Sequence, residues 1–127
     1  MTEETPVSEL MTSPVVTVEN DATVAEAART LTEEHVGSLI VGEDIVDGIV
    51  TETDVVRAVG EELDLTATPV AEIKSEPVVT IRPHESVRVA GERMGTNRVK
   101  KLPVTEDGSP VGIVTTTDLA HFVPRTG

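Results

Sequence analysis

The sequence predicts an α/β fold built from two copies of a β-α-β-β-α unit, and three observations carry that reading. The stretch Gly48-Ile-Val-Thr-Glu-Thr-Asp54 recurs 64 positions later as Gly112-Ile-Val-Thr-Thr-Thr-Asp118, with six of seven residues identical. Self-similarity at such a period marks a chain made of repeated supersecondary units, here of roughly 60 residues each. The apolar content is aliphatic, with 22 Val and a single aromatic residue, Phe122. That excess favours strands packed under short helices over a helical bundle. Finally, apolar residues alternate between two spacings along each copy, short runs suited to strands and 3-4-7 stripes suited to helices.

The first copy spans residues 5–60 and the second 68–124, joined by a short linker at 61–67. Thr5-Pro-Val-Ser-Glu9 aligns with Thr68-Pro-Val-Ala-Glu72, and Pro14-Val-Val-Thr17 with Pro77-Val-Val-Thr80, both at an offset of 63. The offset becomes 64 after one extra residue in the turn Glu106–Pro110. Pro6 and Pro69 suit the first turn of a short helix. Strands are expected at Val15–Val18 and Val78–Ile81. Thr23 and Ser86 are good N-caps for the next helix, and Thr23-Val-Ala-Glu26 reads as a capping box. Val24, Ala27, Ala28 and Leu31 form the apolar stripe of the first copy, with Val87, Ala90, Gly91 and Met94 in the second. Two strands follow in each copy: Ser38–Val41 and Val46–Thr51, then Leu102–Thr105 and Val111–Thr115. Gly42–Asp44 and Glu106–Ser109 supply the turns. A closing helix is expected from Thr53 or Thr117, with Val55, Val56 and Val59, or Leu119, Phe122 and Val123, on its apolar side. Units of this size are marginal alone, so the two are expected to share a core.

Bulk properties narrow the function. A net charge of −13 argues against nucleic acid and anionic membrane partners, which require a basic surface. Three Lys against seven Arg in so acidic a chain suits a halophilic source, where salt screens the self-repulsion. The absence of Cys removes disulfides, thiolate metal sites and Cys nucleophiles. His35, His84 and His121 share no metal-ligand spacing, so no metal site is expected. No apolar run is long enough to cross a membrane, and the acidic N-terminus has no signal-peptide pattern, so a cytoplasmic location is expected.

Thr51, Thr53 and Asp54, repeated as Thr115, Thr117 and Asp118, stand where a strand passes into a helix. Such a junction presents unpaired N–H groups and a helix dipole that favour a phosphate. Threonine hydroxyls can add hydrogen bonds, and an Asp can accept from the vicinal hydroxyls of a ribose. The competing reading is structural: Thr53 and Thr117 cap helices, and the two Asp residues favour the first turn electrostatically. Lys100 and Lys101 form a cationic pair, whereas the first copy has Gly37 and Ser38 there. The alternative for the lysines is a solvated pair whose stems cover the sheet edge.

These elements and the paired Gly-Ile-Val-Thr-x-Thr-Asp stretches resemble a tandem pair of CBS domains, a Bateman module, over roughly residues 5 to 124. The resemblance implies two units related by a pseudo-twofold axis and packed sheet to sheet. It further implies a flat homodimer and adenosine-containing ligands in the clefts between the repeats. It assigns Asp54 and Asp118 to ribose, and Thr51, Thr53, Thr115, Thr117, Lys100 and Lys101 to phosphate. It assigns Pro14, Val15, Pro77 and Val78 to the adenine base, opposite an ordinary reading as strand starts. Leu39 and Leu102 are read as core residues that also reach the base. The expected function is a stand-alone, non-catalytic sensor. Its regulatory ligand would be an adenine nucleotide (AMP, ADP or ATP, with S-adenosylmethionine or NAD as further options), and an effector protein would read its state. No nucleophile–base pair or Walker-type glycine loop points to an enzyme. The alternative is a dimerisation or interaction module that works without ligand.

Overall fold

The computed structural model describes residues 2–75 and 78–122. The fold is mixed α/β and divides into two compact units. One is Val16–Val78, and the other combines Met1–Val15 with Val79–Gly127. The segment that leads the first copy thus lies in the unit of the second copy. The segment that leads the second copy lies in the unit of the first.

In the unit Val16–Val78 the order is β1 (Thr17–Val18), α1 (Val24–Glu34), β2 (Ser38–Val41), β3 (Gly48–Thr51) and α2 (Glu52–Gly60). The three strands form a sheet in that order, β1 parallel to β2 and β2 antiparallel to β3. The expected capping box opens α1: Thr23 Oγ1 accepts from the Glu26 N–H at 3.1 Å, and Glu26 Oε1 accepts from the Thr23 N–H at 3.4 Å. Val24, Ala27 and Leu31 are the buried positions of this helix, and Ala27 and Leu31 pack with Leu39, Val41, Val50 and Val70 as the core of the unit. Gly42 turns the chain out of β2 at φ 100°, where a Cβ would collide with the Ile45 carbonyl oxygen. β3 starts at Gly48, two residues later than the apolar run suggests.

Of the apolar residues expected on α2, Val55 packs against the core of the unit, but Val56 and Val59 do not. Val56 and Val59 are 68% and 56% exposed, while Asp54 and Ala58 are buried. The helix turns its N-terminal carboxylate inward because that group caps the helix. The expected short helix at Pro69 is a single 3-10 turn, Val70–Glu72, and Pro69 is its N-cap rather than its first helical residue. This turn continues to Ser75, whose N–H donates to the Ile49 carbonyl at 2.9 Å and whose carbonyl accepts from the Ile49 N–H at 3.4 Å.

The other unit begins with the matching 3-10 turn, Val7–Glu9, N-capped by Pro6. It continues as α3 (Val87–Asn97), β4 (Lys101–Glu106), β5 (Ser109–Thr115) and α4 (Thr116–His121). Val7 is fully buried with Ile81, Ala90, Met94, Leu102, Val104 and Val114. Ser86 caps α3 by accepting from the Val89 N–H at 3.2 Å. Thr12 and Ile113 exchange backbone hydrogen bonds at 2.9 and 3.1 Å, the counterpart of Ser75 and Ile49. The additional residue of the second copy is absorbed between Val104 and Gly112: Val104 pairs with Gly112 and Thr105 with Pro110, so Val111 is left as a bulge.

The strand expected at Val78–Ile81 is reduced to one bridge, Ile81 to Val104. In the first copy the Ile40 N–H donates to the Val16 carbonyl and the Gly42 N–H to the Val18 carbonyl. In the second copy the Thr105 N–H still donates to the Ile81 carbonyl at 2.9 Å. Pro103, however, takes the place of Ile40 and has no N–H, so one rung of the ladder cannot form.

Candidate functional site

The repeated motif folds into the same corner twice. β3 ends at Thr51, which is extended (φ −118°, ψ 169°) and is the N-cap of α2; Thr115 ends β5 and caps α4 in the same conformation (φ −122°, ψ 167°). The capping residues are therefore Thr51 and Thr115, not Thr53 and Thr117, and each helix begins one residue earlier than expected. The motif makes this possible because an Asp three residues after a threonine closes a capping box. Thr53 and Thr117 are exposed and occupy the second helical position, among those whose N–H has no intrahelical partner.

At the first corner Asp54 is only 6% exposed. Its Oδ2 accepts from the Thr51 N–H at 2.9 Å and from the Thr51 hydroxyl at 3.1 Å. Its Oδ1 accepts from Arg57 Nη1 at 3.3 Å. Thr51 Oγ1 in turn accepts from the Asp54 N–H at 3.2 Å. At the second corner Asp118 Oδ2 accepts from the Thr115 N–H at 2.8 Å, and Thr115 Oγ1 accepts from the Asp118 N–H at 3.1 Å. Asp118 is half-buried, and His121 holds the position of Arg57. With Leu10 and Phe122, Asp118 and His121 line a surface groove of about 290 Å³.

The strand beside each corner supplies the contrast between them. Ser38 stands opposite Thr51 in the β2–β3 register, and the Gly37 carbonyl accepts from the Glu52 N–H at 3.2 Å. In the second copy Lys101 stands opposite Thr115, and the Lys100 carbonyl accepts from the Thr116 N–H at 2.9 Å. The lysine pair thus borders the start of α4 at Thr115 and Thr116, with Lys100 exposed and Lys101 half-buried.

Of the residues assigned to a base, Pro14 and Val15 fall in the unit that holds Asp118, Lys100 and Lys101, whereas Val78 falls in the unit that holds Asp54. Pro14 is exposed, and Val15 and Val78 are half-buried. Pro77 lies outside the described residues. Leu39 and Leu102 have no exposed surface and belong to the two cores. Arg57 and Glu52 were not singled out by sequence reasoning. Aligning the two motifs residue by residue exposes them, because Arg57 faces His121 and Glu52 faces Thr116 in that alignment.

Among the described residues no helix is long and apolar enough to cross a membrane. Residues 7–61 and 70–125 each match the family model of the CBS domain. The chain is 32% identical over 116 residues to the CBS domain-containing protein YhcV of Bacillus subtilis, covering 90% of this chain and 82% of that protein. It spans 42% and 24% of two further curated relatives, which are longer chains. The CBS domain protein PAE2072 of Pyrobaculum aerophilum, solved in complex with AMP, superposes with a TM-score of 0.82 at 29% identity, over 90% of this chain and 89% of that one. The CBS domain pair of protein MJ0100, solved with 5′-methylthioadenosine and S-adenosyl-L-methionine, gives a TM-score of 0.83 at 25% identity, over 93% and 94%. This chain belongs to the CBS-domain family and carries two CBS domains in tandem.

Proposed function

We propose that this CBS pair is a non-catalytic regulatory module that binds an adenosine-containing ligand and reports its occupancy to a partner protein. The observation that carries the reading is the second corner, where Lys100 and Lys101 flank a capped helix start whose Asp118 is half-buried. The AMP and S-adenosyl-L-methionine complexes of the similar structures support the ligand class. Asp118 serves the ribose hydroxyls, and Thr115, Thr117 and the lysines serve phosphate. Among the described residues the Thr115 hydroxyl accepts from the Asp118 N–H and donates to no other group, which leaves its hydrogen for a ligand. Pro14 and Val15 contribute apolar surface to the base. A ligand regulates only as far as it binds one arrangement of the protein better than another.

Thermal unfolding with AMP, ADP, ATP, NAD and S-adenosylmethionine tests the reading. A ligand at 100 times its Kd adds about 2.7 kcal/mol of stability. Asp118→Ala, measured against its own ligand-free midpoint, should lose the shift. An unchanged shift in that variant rejects the assignment of Asp118, and no shift with any of these ligands rejects the function in favour of a ligand-independent interaction module.

A further inference from the structure

Resting on the ligand reading above, we infer that the two corners are not equivalent and that phosphate-bearing ligand binds at the second alone. Arg57, Glu52 and the Gly37-Ser38 pair close the first corner to it. The Asp54 carboxylate is buried and already engaged on both oxygens, by Thr51 on one and Arg57 on the other. The Thr51 hydroxyl donates its hydrogen bond to Asp54 Oδ2, so it is not free to donate to a phosphate while that contact holds. Glu52, exposed at the first helical position, adds a negative charge where a phosphate would approach, and Thr116 is its neutral counterpart. The lysine pair of the second corner has no counterpart here, because Gly37 and Ser38 occupy the places of Lys100 and Lys101, and the one guanidinium at the corner, Arg57, is held by Asp54. A ribose at the first corner would compete with Arg57 and Thr51 for Asp54, and a phosphate there would face Glu52 without the lysine pair. Neither obstacle exists at the second corner. The motif that reads as twofold in sequence is thus one helix-locking corner and one ligand corner.

Counting bound AMP per chain by native mass spectrometry, with titration calorimetry of AMP, ADP, ATP and S-adenosylmethionine alongside, tests this. The expected result is one AMP per chain, at least tenfold weaker in Lys100→Ala/Lys101→Ala and unchanged in affinity in Glu52→Gln. Grafting the second corner onto the first, as Gly37→Lys/Ser38→Lys/Glu52→Thr/Arg57→His, should raise the count to two, with a retained cooperative unfolding transition showing that the graft folds. Should the graft not fold, the count and lysine dependence of the parent chain still decide. Two AMP per parent chain overturns the inference while leaving the ligand reading intact, and so does AMP binding that survives loss of both lysines. Binding of S-adenosylmethionine without any phosphorylated ligand does the same. Failure of every adenosine ligand to bind overturns both.

Discussion

The aliphatic stem of Lys74 lies across Gly48, so that a Cβ on that glycine would stand 2.7 Å from Lys74 Cδ. The second copy repeats the arrangement with Met11 over Gly112, where an added Cβ would collide with the Met11 sulfur. The glycine that opens each motif is there because a leading segment crosses it, tied down by Ser75–Ile49 in one unit and Thr12–Ile113 in the other.

Gly48→Ala and Gly112→Ala should each destabilise by about 1–3 kcal/mol, the usual cost of overpacking a close contact. Urea unfolding measures this. Met11→Ala in the Gly112→Ala background should recover part of the loss, giving a favourable coupling in a double-mutant cycle. Independent, additive effects would show that the contact is not the cause.

Capping and ligand binding separate along the motif. Thr51→Ala and Thr115→Ala remove N-caps and should cost about 0.5–2 kcal/mol each. Thr53→Ala and Thr117→Ala touch exposed side chains and should stay within about 0.5 kcal/mol. Thr117→Ala should nevertheless weaken the ligand-induced thermal shift. A large stability loss from the second pair would return the capping role to Thr53 and Thr117.

Acid sensitivity should centre on Glu85. Arg93 grips both its carboxylate oxygens, at 3.0 and 3.1 Å, and the Arg82 N–H donates to it at 2.8 Å. The Arg93 hydrogen bonds, followed by that N–H, hold its pKa below the ordinary carboxylate value. A carboxylate depressed on folding stabilises the fold above its unfolded pKa, and the contribution fades as pH falls through the lower folded value. The stability gap between the parent chain and Glu85→Gln should therefore be full at neutral pH and shrink below roughly pH 4. A gap independent of pH would contradict this.

The net charge of −13 sets a fourth expectation. Raising monovalent salt from about 0.1 to 1 M shortens the Debye length from roughly 10 to 3 Å, so the unfolding midpoint should rise as surface repulsion is screened. A midpoint that falls with salt would show that attractive pairs such as Arg88–Glu4 and Arg88–Glu92 dominate instead.

Much of this molecule is legible in its sequence. The duplicated motif revealed the two copies, and the Thr23/Glu26 spacing located the start of α1 because a capping box is local chemistry. Tertiary context hid the rest. Nothing in the apolar pattern of α2 shows that Val56 and Val59 face outward while Asp54 turns in. The missing strand at residues 78–81 depends on Pro103, a residue more than twenty positions away, whose absent N–H matters only once the pairing is known. The leading segments align within their own copies, yet each packs in the unit of the other, an exchange that similarity between copies cannot reveal. At the site, the inequality of the two corners is legible in sequence at Lys100 and Lys101, which align with Gly37 and Ser38, but not at Glu52 and Arg57, whose bearing on the corner shows only once Asp54 turns inward and meets Arg57.

The most direct measurement is an AMP titration followed by amide chemical shifts in an isotope-labelled chain. The expected result is saturable perturbation centred on Lys100, Lys101 and Thr115–Asp118, with the Thr51–Asp54 amides moving far less. Saturable perturbation centred elsewhere, or none at Lys100, Lys101 and Asp118, would contradict the account.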